Sequence, residues 1–438
     1  MSDPELFGPA TQGDSQKPPP GKAAPSGPPR LLRPDRHQMR FMPTDLNSLI
    51  EEDHPARAIW AVIENLDLSK FEAGITARGE TAGRPAIDPR ILLALWLYAT
   101  SEGMGSAREL ERLCEAHNAY RWICGGVHLN HHTLSDFRVA HQEALDDLMT
   151  QILGVMEHQG LVDLKRVAQD GMRVRASAGA ASFRREKSLQ KCLEEAREQV
   201  RETARYMEAG PEASARREAA RERATRERTE RVERAISELP KVREAKTTEE
   251  DKQKARVSTT DPEARVMKMA DGGFRPAYNV QLSTDTQTRV IVGVDVTNSG
   301  NDQGQMVPML EDIRERNGQL PDECLVDGGY AKKENIEEAA LQKVTIYAPV
   351  QKPRKEGRDP HQPKPGDSPA VAEWRQRMGT PEAKEIYKER AATAERTNAD
   401  LRCYRGLAPF LVRTLPKVRC VVLWAALTYN ILLLMAAM

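Results

Sequence analysis

The spacing of apolar residues changes twice along this chain, and each change predicts a different kind of structure. From about residue 42 to 160 apolar positions recur at helical intervals. His54-Pro-Ala-Arg-Ala-Ile-Trp-Ala-Val-Ile reads as one amphipathic helix, and Asp88-Pro89-Arg90-Ile-Leu-Leu-Ala-Leu-Trp-Leu-Tyr as a second, with an aspartate cap and proline in its first turn. Ser106-Ala-Arg-Glu109 offers a capping box ahead of Leu110 and Leu113. A last helix is expected from about His132 through Leu145, Leu148 and Ile152. The pattern predicts an all-helical module of about five helices.

Beyond residue 160 the period shortens to two. Val167-Ala168-Gln169-Asp170 predicts a strand ending at Asp170, and Met172, Val174 and Ala176, alternating with Arg173 and Arg175, predict a hairpin return. Ala277-Tyr-Asn-Val-Gln-Leu-Ser and Arg289-Val-Ile-Val-Gly-Val-Asp-Val predict a second hairpin. Next come a helix near Gln303 to Arg316, a strand ending at Asp327, a helix near Lys332 to Leu341 and a strand Val344-Thr-Ile-Tyr. A Pro- and Gly-rich loop over residues 351–380 and a long helix carrying Glu395 complete an α/β pattern. The apolar run from Cys420 to Met438 barely reaches the roughly 20 residues a bilayer needs and is interrupted by Thr428, Tyr429 and Asn430, so a buried terminal helix is expected.

Two stretches fit neither period. Residues 1–38, rich in Pro, Gly and Ser, predict a disordered basic tail. Residues 184–256 are Ala, Arg and Glu with few large apolar side chains, and predict an inserted pair of exposed helices broken at Gly210-Pro211. Ion pairs three or four residues apart, more than a core, would hold them. Such an insertion is either simply solvated or a contact surface for protein or DNA.

Composition narrows the class only a little. The 438 residues exceed one small domain, and 39% hydrophobic with 30% charged content is that of a soluble globular protein. Lys plus Arg equals Asp plus Glu at 65 each, so any nucleic-acid contact must come from local patches. Six scattered cysteines and a Met1-Ser-Asp-Pro-Glu start without an apolar core point to a reducing cytoplasm.

The candidate chemistry lies in three acids. Asp170 and Asp327 sit at predicted strand ends, where α/β sheets bind ligands, and Glu395 lies on a late helix with basic neighbours. Three carboxylates brought together would hold two divalent ions about 3.5–4 Å apart, the arrangement used for in-line phosphoryl displacement. Each acid alone also reads as a turn residue or a solvated helix charge. Glu395 and Arg402 are seven residues apart, two helical turns, which sets a potential metal ligand beside a cation able to grip phosphate. Glu385 and Glu389 compete with Glu395, and Asp295 and Asp302 read as outer-shell or turn residues. Cys114, His117, Cys124, His128, His131 and His132 have spacings a zinc site would use, but they straddle a helix and a loop.

Several motifs in combination resemble the DDE transposases of bacterial insertion sequences. They are Gly83-Arg-Pro-Ala-Ile-Asp-Pro-Arg-Ile-Leu-Leu, Thr133-Leu-Ser-Asp-Phe-Arg, Gln169-Asp-Gly-Met-Arg-Val-Arg-Ala, Asp261-Pro-Glu-Ala-Arg-Val-Met-Lys, Tyr278-Asn-Val-Gln, Asn301-Asp302 and Val326-Asp-Gly-Gly-Tyr. The resemblance implies an α/β RNase H-like catalytic domain over residues 161–438 and an all-α DNA-binding domain over residues 39–160. Asp170, Asp327 and Glu395 would be the catalytic, Mg²⁺-binding acids, with Mn²⁺ able to substitute. The family's late helix carries Tyr, Arg, Glu and Lys at set spacings, which Tyr387, Arg390, Glu395 and Arg402 resemble. The step from Arg390 to Glu395 is one residue longer than the commonest form, and the last position is Arg instead of Lys. DNA contacts would come from Tyr387, Arg390 and Arg402, and in the helical domain from Arg84 and Arg138.

The implied activity is strand cleavage and strand transfer at the terminal inverted repeats of its own element, on double-stranded DNA, by a homodimer or larger assembly in the nucleoid and away from membranes. A non-enzymatic DNA-binding scaffold, or a nuclease of the same fold that never joins ends, would share many of these features.

Overall fold

A computed structural model describes residues 45–78, 85–208, 215–351 and 359–437. The tail 1–38, Arg84, the Gly210-Pro211 break and residues 352–358 of the Pro- and Gly-rich loop lie outside the described residues.

Among the described residues the amino-terminal third is helical as its periodicity requires, with seven α-helices: Pro55–Glu64, Ser69–Glu72, Pro89–Ser101, Ala107–Ala116, Asn118–Cys124, His131–Ala140 and Gln142–His158. The caps form where the sequence places them. Asp88 accepts from the Arg90 amide at 2.8 Å and Ser106 from the Glu109 amide at 3.4 Å. The single helix expected over residues 132–152 is instead two. His141 leaves helical conformation at φ −115°, ψ 48° and stacks its ring against Phe71 and Phe137, with centroids 5.3 and 4.9 Å away. Ring packing outweighs one turn of helix propensity there.

The strands are β1 (Arg166–Arg175), β2 (Phe183–Arg184), β3 (Val257–Ser258), β4 (Arg265–Lys268), β5 (Phe274–Asp285), β6 (Ile291–Thr297), β7 (Glu323–Leu325) and β8 (Thr345–Tyr347). The main sheet runs β4-β5-β1-β7-β8, with β6 also on β5. β1 is antiparallel to β5 and parallel to β7, so the sheet is mixed.

One expectation fails at β1. The strand does not end at Asp170, and no hairpin follows; it continues to Arg175, paired with β5 throughout from Val167–Asp285 to Arg175–Ala277. Gly171 is needed for clearance instead of for a turn. A side chain there would collide with Asp302 Oδ1, with Gln281 Nε2 and with Asn279 Oδ1.

The last helix, Leu415–Ala437, packs on Pro89–Ser101, Gln142–His158 and β6, and so joins helices and sheet in one continuous core. It is the one helix among the described residues long and apolar enough to cross a membrane, and most of it is buried in that core. The polar interruption has a structural use. Asn430 accepts from the Ile291 amide at 3.0 Å and donates to the Ile291 carbonyl at 2.8 Å, satisfying both backbone groups at the start of β6.

The insertion forms helices Glu186–Glu208 and Ala215–Glu244, closed at the base by the β2–β3 pair. It has more core than its composition suggested, since Leu189, Ala235, Leu239, Val242 and Val257 form a small buried cluster of their own.

Candidate active site

Asp170 leaves β1 half-buried, with both carboxylate oxygens engaged from the late helical run. Arg390 donates to Oδ1 at 2.7 Å and the Asn398 amide to Oδ2 at 2.9 Å. Asp327 follows from register. The last β1–β7 pair is Ala168–Leu325, and two residues further along the parallel neighbours come Asp170 and Asp327. The Asp327 carboxylate accepts from the Gly329 amide at 2.6 Å, which fixes the turn after β7.

The late helical run is three pieces: helix Pro381–Arg390, a π-helical turn Ala391–Glu395, and helix Arg396–Tyr404. The π turn falls between the two residues whose spacing is one longer than usual. In a continuous α-helix, five residues would rotate Glu395 about 140° away from Arg390. A π turn absorbs the extra residue and returns Glu395 to the Arg390 face. Glu395 thereby lines a groove of about 350 Å³ with Asp170, Asn398 and Arg402. The competing acids go elsewhere. Glu389 pairs with Arg166 at 2.7 Å, and exposed Glu385 pairs with Lys388 at 2.6 Å.

Electrostatics link Asp170 to Asp327 and Asp302. Burial pushes the Asp170 carboxyl above the usual carboxylate range; the Arg390 charge pulls it back, and the charges of Asp327 and Asp302 push it up again. Burial likewise raises the Tyr387 phenol, which feels Arg390, Asp327 and Asp170.

The structure does not bring all the expected residues here. Arg138 is buried, its guanidinium 4.6 Å from the Trp96 ring centre and bonded to the Gly105 carbonyl, with its pKa pushed down to about 10 by burial. It braces the helical module and is withdrawn from the groove. The candidate zinc residues form no group of three among the described residues: His117 caps a helix through Nδ1, and His131 Nδ1 bonds Glu111 at 2.8 Å. Asp295 is held by Arg419 at 3.0 Å.

Two family models match the chain. Residues 44–140 match a transposase domain (DUF772), and residues 241–431 match the transposase DDE domain; together they span about two thirds of the chain. The chain belongs to the DDE transposases of insertion sequences. No curated protein and no solved structure matches it. In this transposase Asp327 and Glu395 lie inside the DDE match, whereas Asp170 lies between the two matches.

DDE transposases act with divalent metal ions. Among the described residues no three His, Cys, Asp or Glu side chains converge into a ready-made cage. The donor set nevertheless suits a hard cation, which takes carboxylate oxygens and keeps several waters. Carboxylates within electrostatic reach of one another, with a guanidinium on Asp170, are what a divalent ion would neutralise.

Asp302, read from the sequence as an outer-shell or turn residue, anchors a polar network beside the site. Asp302 Oδ1 accepts from Asn279 at 2.7 Å and Gln281 at 2.9 Å, and Gln281 Oε1 accepts from the Tyr330 hydroxyl at 2.5 Å. Tyr330 stands three residues after Asp327, so this buried network ties the Asp327 loop to β5 beside Gly171. A signal was present: Asn279, Gln281 and Ser283 place polar groups at every second position of β5, alternating with Tyr278, Val280 and Leu282.

Proposed function

We propose that the protein cleaves DNA at the terminal inverted repeats of its own element and joins the freed ends to target DNA. Asp170, Asp327 and Glu395 are the acids that hold divalent ions, Mg²⁺ or Mn²⁺. The observation that supports this most is the groove shared by Asp170 and Glu395, residues from a central strand and a distant helix, with Arg402 and Asn398 beside them. The strand order, with β1 central, antiparallel to β5 and parallel to β7, supports an RNase H-like reading of the sheet.

Bound there, divalent ions would activate the attacking oxygen and stabilise the leaving one. The protein's own groups do the rest. Asn398 holds the Asp170 carboxylate in one rotamer. Arg390 balances that carboxylate and would face the scissile phosphate. Arg402, at the groove wall, grips a neighbouring phosphate through its planar fork. In cleavage, water attacks phosphorus and a 3′-hydroxyl leaves; in joining, that 3′-hydroxyl attacks a target phosphodiester and displaces the next 3′-oxygen. The active assembly is a homodimer or larger, since two ends must meet, and its place in the cell is the nucleoid.

A labelled duplex carrying the DNA that flanks the gene, incubated with Mg²⁺ or Mn²⁺, tests the reading. Metal-dependent nicking at a defined end followed by strand-transfer product is expected, and both should vanish in Asp170→Asn. Nicking without joined product would make the protein a nuclease, and binding without cleavage a DNA-binding scaffold.

A further inference from the structure

Some basic residues of the insertion are matched by acids and others are not. Arg226 meets Glu222 at 2.6 Å, Arg197 meets Glu233 at 2.9 Å and Arg243 meets Glu186 at 2.8 Å. Cations gather where the second helix passes β3. There Arg228 and Arg231 line a hollow of about 310 Å³ together with Thr259, Thr260 and Arg413, which comes from the segment before the last helix. Among the described residues Arg228 and Arg413 have no carboxylate within 4.0 Å, and Arg231 has only Glu227 at 3.7 Å. Burial and the neighbouring Arg413 charge both press on the Arg231 cation. Like charges gathered this way are unfavourable without an anion between them.

We propose that Arg228, Arg231 and Arg413 bind the DNA backbone, taking phosphodiester groups beyond the catalytic groove, so that the insertion is a second DNA-binding surface of the transposase. Guanidinium forks beside the Thr260 hydroxyl suit phosphate oxygens. Continuity with the groove favours a DNA strand over an isolated anion. Arg402 lines both the Asp170 groove and an adjoining hollow of about 380 Å³ that also contains Arg175 and Arg275. Beyond it, the Phe410 amide donates to the Arg175 carbonyl at 2.9 Å and Arg413 Nε to the Ser177 carbonyl at 3.3 Å. The cations therefore follow the end of β1 outward from the candidate active site to the insertion. The inference rests on the DNA-processing reading above.

The test is the salt dependence of duplex binding by the full chain, comparing wild type with a triple variant, Arg228→Gln with Arg231→Gln and Arg413→Gln. The slope of log affinity against log salt should fall by about 1 for each phosphate no longer neutralised, on every duplex sequence alike. Arg234→Gln, on the same helix but paired with Glu230 at 3.5 Å, should leave the slope unchanged. Lysine at all three positions should retain most of it. If the triple variant folds poorly, exposed Arg413→Gln alone should lower the slope by about 1. An unchanged slope in the triple variant overturns the proposal. Stabilisation of wild type by inorganic phosphate, with the DNA slope unchanged in the variant, would make this a free-anion site and also overturn it. Failure of wild type to bind duplex at all would instead sink the DNA-processing reading itself.

Discussion

Arg390 and Asp170 stand 220 residues apart in the chain and 2.7 Å apart in the fold. The pair brings the late helical run onto the central strand, and it joins a cation to a carboxyl that burial holds above its ordinary range.

That raised pKa predicts how metal and pH act together. A carboxyl whose folded pKa exceeds the unfolded value of 3.8 contributes stability that is fully present below that value and lost as pH rises through the folded pKa. Divalent ions bind the ionised form and offset the loss. Thermal melts from about pH 4 to 8 should therefore show a Mg²⁺-induced shift that grows with pH, worth about 2.7 kcal/mol at a hundredfold excess over the dissociation constant. Asp170→Asn should show little of it. A shift of equal size in the variant, or one that grows toward acid, would count against the assignment.

The acids separate by their partners. Asp327→Asn and Glu395→Gln should reduce cleavage by at least about 10²-fold with duplex binding retained, as expected when charge stabilisation at the reacting phosphate is removed. Glu389→Gln and Glu385→Gln should keep cleavage, because those carboxylates face Arg166 and Lys388. Gel assays on all four variants check this, and inactive Glu389→Gln with active Glu395→Gln would reverse the choice of third acid.

The π turn makes a prediction about chain length. Deleting exposed Ala392 converts the turn to ordinary α-helix and keeps Arg390 and Glu395 on one face, so cleavage should survive within about tenfold. Inserting an alanine at the same place should rotate Glu395 away and abolish it. Equal damage from both changes would show that the turn matters for something other than register.

Asn430 should matter for stability alone. Asn430→Leu leaves the Ile291 amide and carbonyl unpaired in the core, at about 1–3 kcal/mol each. Urea unfolding should show a loss of about 2–6 kcal/mol. A change near zero would mean that β6 finds other partners.

Much of this was legible in the sequence because it depends on local spacing. Helix caps at Asp88 and Ser106, the β5–β6 hairpin and the buried last helix follow from periodicity and residue chemistry, which act over a few neighbours. What the local pattern could not settle was decided by groups distant in the chain. The Asp170-Gly171 pair reads as a turn until β5 is laid beside it and Asp302, Gln281 and Asn279 occupy the space where a side chain would go. Arg138 reads as a surface cation until Trp96 and Gly105 close over it. Among three acids on one helical run, only packing against β1, with a π turn to restore the face, directs Glu395 and not Glu385 or Glu389 toward Asp170. Sequence determines which faces are available, and long-range packing, where volume and charge must be satisfied together, decides which of them meet.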